Sequence, residues 1–304
     1  MPFLSFTYYF TSMLSNEVQK NITASLETYL NTGVQIKSVQ QVFGGDINQT
    51  FVLHTNTGKF FLKTNDNALP NLFEKERNGL GLLKSTNTLQ VPTPIFFGNV
   101  GKTSFLVMDW VEKSKPAKNF WQQFGDGLAN LHSNTHPDFG LHENNYIGSI
   151  PQKNTLTNTW ADFYAYQRIL PLMQMALKQG KCSNKDLDDA EKLCVKLNNL
   201  FPIEPPALLH GDLWGGNFMP GEEGQPVIYD PAVYYGHREM DIAMTQLFGG
   251  FDMQLYVYYN EAYPLQPGWQ QRVQLCQLYP LLVHLILFGG HYYNSVMEVI
   301  RKYY

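Results

Sequence analysis

Two apolar runs that each end at a carboxylate constrain this chain more than any other feature. Leu208-Leu209 leads into His210-Gly211-Asp212-Leu213-Trp214-Gly215-Gly216-Asn217, and Val227-Ile228-Tyr229 leads into Asp230. The first run delivers Asp212 into a loop too rich in glycine to continue as a helix. Asn217 follows within that loop, and the second run reads as a strand that ends at Asp230. Phosphoryl transfer from a nucleotide needs a carboxylate that takes or orients the proton of the acceptor hydroxyl. It also needs an Asn and an Asp to hold Mg²⁺. Aspartates in a glycine-rich loop can simply make turns. Two strand-delivered carboxylates flanking an amide, in this order, favour the catalytic reading.

Composition narrows the rest. At 304 residues the chain is long enough for two domains or one bilobal one. Charged residues make up 16% and aromatics 14%, so cores and pockets should be aromatic-rich. The net charge of -4 and the lack of a Lys/Arg run argue against nucleic acid or an anionic membrane as the main partner. Cys182, Cys194 and Cys276 lack metal-ligand spacing and read as reduced thiols of a cytoplasmic protein, with a monomer favoured. Residues 1–12 are aromatic but lack a basic flank and are too short to span a bilayer. They read as an extension, ordinary soluble sequence beginning at Met13.

Residues 13–108 read as a first lobe. Val18, Ile22, Leu26 and Leu30 have helical spacing, and Asn31-Thr32-Gly33 suits a helix end. Three β-type runs follow, 34–43, 49–55 and 59–64, with Gly44-Gly45-Asp46 between the first two. Amides of such a small-residue turn can approach phosphates closely. In the third run Lys63 shares a face with Phe61, and Phe60 and Leu62 share the other. The helix expected over 72–84 places Glu76 within the stripe of Leu72, Phe73, Leu80 and Leu83. A carboxylate there is costly unless paired, and Lys63 is its natural partner. Glu74, Lys75, Arg77 and Asn78 fall on the outer faces and call for no special role.

The apolar run ending Val107-Met108-Asp109-Trp110 fits a central strand leading into a hinge, where backbone groups of Met108, Asp109 and Trp110 would bond an adenine. Residues 109–119 read as that linker and 120–304 as a mostly helical second lobe. Its helix over 120–133 ends at His132, read as a structural brace. Residues 135–154 read as a long functional loop in which His142 and Tyr146 could line an acceptor pocket. A helix over 159–180 should bend at Pro171, and Ser183 with Asp186 suits a capping box. Asp241, at a helix start, either accepts amides of the catalytic loop or serves the helix dipole. Residues 277–288 read as a short core helix carrying His284, either a sugar contact or a core histidine.

These motifs together resemble the fructosamine kinase (ketosamine-3-kinase) family. The likeness rests on His210–Asn217, Ile228-Tyr229-Asp230-Pro231-Ala232, Tyr235-Gly236-His237-Arg238-Glu239 and Leu247-Phe248-Gly249-Gly250-Phe251. Phe43-Gly44-Gly45, Phe61-Leu62-Lys63, Glu76 and Tyr279-Pro280-Leu281-Leu282 extend it over nearly the whole chain from about residue 17. The resemblance implies an α+β, two-lobed protein-kinase-like fold, with an antiparallel sheet and a helix in the first lobe. It implies ATP and Mg²⁺ as cofactors, and phosphorylation of the ketose 3-hydroxyl in fructosamines or ribulosamines, small or carried on glycated protein. Such 3-phosphates are unstable and release the amine. Carried over, Asp212 is the catalytic base, Asn217 and Asp230 hold Mg²⁺, Lys63 contacts phosphate and Glu76 orients it. Trp214, next to the base, offers a stacking face for the sugar.

Two departures stand out. Where some members carry a phosphate-loop cysteine used in redox-linked dimerisation, this chain has Asp46 after Gly45. Phe61 stands where protein kinases have a small residue, which likens the chain to the small-molecule kinases. A kinase of another hydroxylated amine or sugar stays open, although the few carboxylates after Asp241 do not suit an aminoglycoside. An inactive nucleotide-binding module is the third reading.

Overall fold

The computed structural model describes residues 14–42 and 48–304. The 1–12 extension and the turn with Gly44, Gly45 and Asp46 lie outside the described residues. The chain begins with helix α1 (Asn16–Leu30), strands β1 (Ile36–Val42), β2 (Gln49–Thr55) and β3 (Lys59–Asn65), and helix α2 (Leu72–Ser85). Strands β4 (Pro94–Val100) and β5 (Thr103–Asp109) and helix α3 (Phe120–His132) follow. Next come β6 (Asn145–Ile147), β7 (Ile150–Gln152), α4 (Trp160–Phe163), a π-helical turn Tyr164–Ile169, α5 (Leu170–Lys178) and α6 (Asn184–Leu200). The chain closes with β8 (Ala207–Leu209), β9 (Phe218–Pro220), β10 (Pro226–Ile228), β11 (Tyr234–Gly236), α7 (Glu239–Leu247), α8 (Met253–Ala262), α9 (Trp269–Phe288) and α10 (Tyr292–Tyr303).

The chain divides into two compact units, one running to Phe73 and taking in Pro94–Trp110, the other comprising Glu74–Thr93 and Val111–Tyr304. The first unit is an antiparallel sheet in the order β1-β2-β3-β5-β4. Helix α1 starts at Ser15, whose hydroxyl accepts from the Val18 amide, and stops at left-handed Asn31. Its buried face of Val18, Ile22 and Leu26 joins Phe60, Leu62 and Val107 in one core. The alternation expected in β3 holds: Phe60 and Leu62 enter that core.

In the second unit the Ser183–Asp186 capping box forms as its sequence suggests. Three elements differ from expectation. The stretch read as an irregular loop contains a hairpin, β6 with β7, because Asn145-Tyr146-Ile147 and Ile150-Pro151-Gln152 are short enough to escape a periodicity reading. The helix expected over 159–180 is interrupted by the π-helical turn just before Pro171, which itself stands in the first turn of α5.

The third difference is α9, which begins at Trp269 and runs through Pro280. Proline has no amide hydrogen for the carbonyl four residues back, that of Cys276. The Tyr164 hydroxyl, on a fully buried side chain, donates to the Leu275 carbonyl at 2.6 Å and lies 3.5 Å from that of Cys276. The hydroxyl thus bonds the turn at the gap chiefly through Leu275 and stands at the limit of reach of the carbonyl that the proline leaves open. Among the described residues no helix is long and apolar enough to cross a membrane.

Tyr164→Phe should therefore lower stability in guanidinium denaturation by about 1–3 kcal/mol, the cost of an unserved buried acceptor. The same change in a Pro280→Ala background, which restores a backbone donor, should cost less. Equal losses in both backgrounds would show that the hydroxyl does not compensate the proline.

Candidate active site

Strand β8, buried throughout, pairs antiparallel with β11 and carries the chain to His210. At Gly211 φ is +82°, and a Cβ would collide with the Ala232 carbonyl. Only glycine fits a left-handed position this tightly apposed to backbone. The turn is closed by Ala232 N donating to His210 O at 2.9 Å and Asn217 N donating to Trp214 O at 2.9 Å. After β9 and β10, the Tyr229 amide donates to Asn217 O at 3.0 Å and brings the end of the second run back to the loop.

Asn217 connects the Asp212 side chain with the backbone of Asp230. Its Nδ2 donates to Asp212 Oδ2 at 3.1 Å and Asp212 O at 2.8 Å, and reaches Asp230 O at 3.4 Å. Asp230 adopts φ +57°, a left-handed conformation that aspartate tolerates and that recurs at functional positions. The Asp212 carboxyl is pushed up from 3.8 to about 7, first by removal from water and then by the negative charge of Asp230; the Asn217 hydrogen bond opposes both. Asp212 therefore titrates near neutrality, as suits a general base.

The loop is braced from beneath by Asp241. Its Oδ2 accepts from the His210 amide at 2.7 Å and its Oδ1 from the Gly211 amide at 2.9 Å. Of the two readings of that residue, the structure shows the one in which it accepts the amides of the Asp212 loop. His132 lies at the end of α3 with Nε2 3.2 Å from Asp241 Oδ2 and Nδ1 2.8 Å from the Tyr259 hydroxyl, the brace expected of it. Burial alone would raise the Asp241 carboxyl, yet His132, His210 and the Gly211 amide hold it below its ordinary value. His210 is buried and its pKa is lowered, so the ring is neutral. Its Nε2 donates to Tyr229 O at 3.0 Å, which leaves Nδ1 to accept from the Asp212 amide at 3.3 Å.

Trp214 is 39% exposed and meets Phe248 edge-on at 6.2 Å. Phe248 in turn lies 4.7 Å from the ring of His284, so the two residues singled out for substrate are linked through Phe248. His284 Nδ1 donates to Pro280 O at 2.8 Å, and burial lowers its pKa. Sequence reasoning missed Phe248, because its pairing with a ring far along the chain leaves no local signal.

The first unit holds Lys63, buried on β3 opposite Leu106 of β5 and Thr50 of β2. Met108 pairs with Phe61, Asp109 ends β5, and Trp110 stacks on Phe61 at 6.3 Å. Glu76 lies partly buried on α2, within the second unit. Lys75 and Asn78, read as outer-face residues without a role, both bind Glu143, at 2.5 and 3.0 Å.

A five-stranded antiparallel sheet in one unit, and a helical unit whose strand-borne loop joins Asp212, Asn217 and Asp230, define the class as an α+β kinase-like phosphotransferase. The chain belongs to the fructosamine kinase family, whose model matches residues 18–304. It is 38% identical over 271 residues to a probable ketoamine kinase of Synechocystis sp., covering 88% of this chain and 90% of that one. It is 36% identical over 274 residues to the chloroplastic protein-ribulosamine 3-kinase of Oryza sativa subsp. indica, covering 88% and 79%. A crystal structure described as a fructosamine-3-kinase of Haemophilus somnus superposes with a TM-score of 0.85 at 29% identity, covering 93% of this chain and 97% of that one.

Because the Asp212 pKa is raised on folding, folding takes up a proton between the ordinary value of 3.8 and about 7. The associated stability is present at low pH and is lost as pH rises to about 7. Asp212→Asn should therefore gain on the wild type in thermal unfolding as pH rises from 4 to 8. The gain is at most about 4 kcal/mol at about 1.4 kcal/mol per pH unit, and less because the side chain is only partly buried. A difference independent of pH would mean that Asp212 titrates as an ordinary carboxylate.

Proposed function

We propose that the protein transfers the γ-phosphoryl group of ATP to the 3-hydroxyl of the ketose in ketosamines. The hydrogen-bonded set of Asp212, Asn217 and Asp230, in a member of the fructosamine kinase family, carries this reading. Asp212 takes the hydroxyl proton as the oxygen attacks phosphorus and ADP leaves. Its carboxyl near neutrality is ionised often enough to accept that proton. Lys63 contacts the phosphates, Glu76 orients it, and backbone groups over Met108, Asp109 and Trp110 receive the adenine.

Asn217 and Asp230 are the proposed Mg²⁺ ligands. Among the described residues no cluster of three or more His, Cys, Asp or Glu is available to enclose a metal. An amide oxygen and one carboxylate suit Mg²⁺, which keeps several waters and takes much of its shell from substrate phosphates. The like charge of Asp230 that raises the Asp212 pKa is a second observation favouring a cation there. Bound Mg²⁺ would neutralise charge on the phosphates.

Trp214 is the proposed stacking face for the sugar, with His284 beyond Phe248. The 3-phosphate then falls apart to free the amine, so the reaction serves deglycation of small amines or of protein. Three free thiols, with Cys194 pushed up to about 12 by burial, suit a reducing compartment such as the cytoplasm.

Incubation with ATP, Mg²⁺ and a panel of ribulosamines and fructosamines should release ADP and give a 3-phosphate detectable by ³¹P NMR. Asp212→Asn should lower kcat by about 10²–10⁴-fold. No turnover above that variant across the panel would eliminate the assignment.

A further inference from the structure

The geometry points to Glu143 as a positioning residue that fastens α2 to the loop supporting Asp230. The inference rests on the role proposed for Glu76, which α2 carries. Each oxygen of the Glu143 carboxylate takes one donor from α2: Oε2 from Lys75 Nζ at 2.5 Å and Oε1 from Asn78 Nδ2 at 3.0 Å. Lys75 and Asn78 are three residues apart and share a helix face. Arg77 sets the Asn78 amide the right way round, since its Nε and Nη2 donate to Asn78 Oδ1 at 3.2 and 2.8 Å. With that oxygen occupied by donors, the Asn78 NH₂ is aimed at a carboxylate.

Glu143 is itself tied to the backbone that follows Asp230. Its carbonyl accepts from Asn154 Nδ2 at 3.0 Å, and Asn154 also donates to Asn145 Oδ1 at 2.8 Å. Asn145 Nδ2 donates to Val233 O at 2.8 Å, and Gln152 Nε2 donates to Ala232 O at 3.0 Å. All three amides are buried. A satisfied buried network of this kind is rigid, so a displacement of Glu143 is passed to the residues next to Asp230. On the same helix Gly79 packs so close to Val233 that an added Cβ would lie 3.2 Å from its methyl group.

Glu143 and Lys75 keep 32% and 23% of their side-chain surface exposed. A partly exposed ion pair adds little to folding stability. Its consequence is placement: the clamp makes α2 a fixed part of the unit that holds Asp212, Asn217 and Asp230. A helix so fixed presents Glu76 at one height relative to Asp230, whereas an unclamped helix could slide or rock.

The test is a charge exchange. Wild type, Glu143→Lys, Lys75→Glu and the double exchange are compared for kcat, for KM of ATP and of a ketosamine, and for thermal midpoint. Each single variant should lose roughly tenfold or more in kcat/KM for ATP, within the range that small misplacements cause. The ketosamine KM and the thermal midpoint should change little, and the double variant, which restores the ion pair but leaves the Asn78 NH₂ facing a donor, should recover part of the loss. Should a charge reversal impair folding, Asn78→Leu, which removes one hydrogen bond, should give a smaller loss in the same parameter. Single variants with wild-type kinetics, or a stable double variant no better than the singles, would overturn the role of Glu143. A wild type that phosphorylates no ketosamine would instead defeat the proposed function, a result seen before any variant is made.

Discussion

Two carboxylates held next to one another in a partly dry loop are the constraint on which the rest of this structure depends. Asp212 and Asp230 repel, and leaving bulk water sharpens that repulsion. The structure tolerates the pair because Asn217 donates to the Asp212 carboxylate and reaches the Asp230 carbonyl, and the backbone on either side is fixed. An arrangement of this kind is unfavourable for a bare scaffold and favourable for one that meets a cation and a proton-bearing hydroxyl. Asp230 itself adopts a left-handed conformation, a strained geometry that recurs at functional positions.

Much of the second unit is an answer to that strain. Asp241 of α7 holds the amides of His210 and Gly211, His132 of α3 holds Asp241, and Tyr259 of α8 holds His132. Three helices thus contribute to a single hydrogen-bonded chain beneath the loop, and its three side chains are buried. The other side of Asp230 is secured by the amides of Asn145 and Gln152, which serve the Val233 and Ala232 carbonyls. Tyr279 extends this second support, donating to Gln152 Oε1 at 2.6 Å. The loop of Asp212 is short, yet its position is set by residues spread over most of the unit.

What could be read from the sequence follows the range of the interactions. The loop of Asp212 and Asn217 was legible because its glycines, strand and polar residues are contiguous. The alternation of β3 and the caps of α1 and α6 were legible for the same reason. Asp241 was ambiguous because an acid in a first turn satisfies either its own helix or a distant amide, and only the fold decides which. Lys75 and Asn78 were passed over since periodicity tells which face a residue occupies but not what stands opposite. Helix α9 was read only over 277–288 and begins earlier, at Trp269, because the polar stretch Gln270-Gln271-Arg272 before it carries no continuous apolar signal. The side-chain misses involve partners remote in the chain, whereas the β6–β7 hairpin escaped because its strands are too short to show a period.

Calorimetric titration of ATP, with and without Mg²⁺, into the wild type and Asp230→Asn tests the carboxylate pair most directly. The account predicts that Mg²⁺ tightens ATP binding to the wild type by about tenfold or more and leaves the variant nearly unaffected, since a chelating carboxylate is lost. An equal effect of Mg²⁺ on both proteins would contradict it.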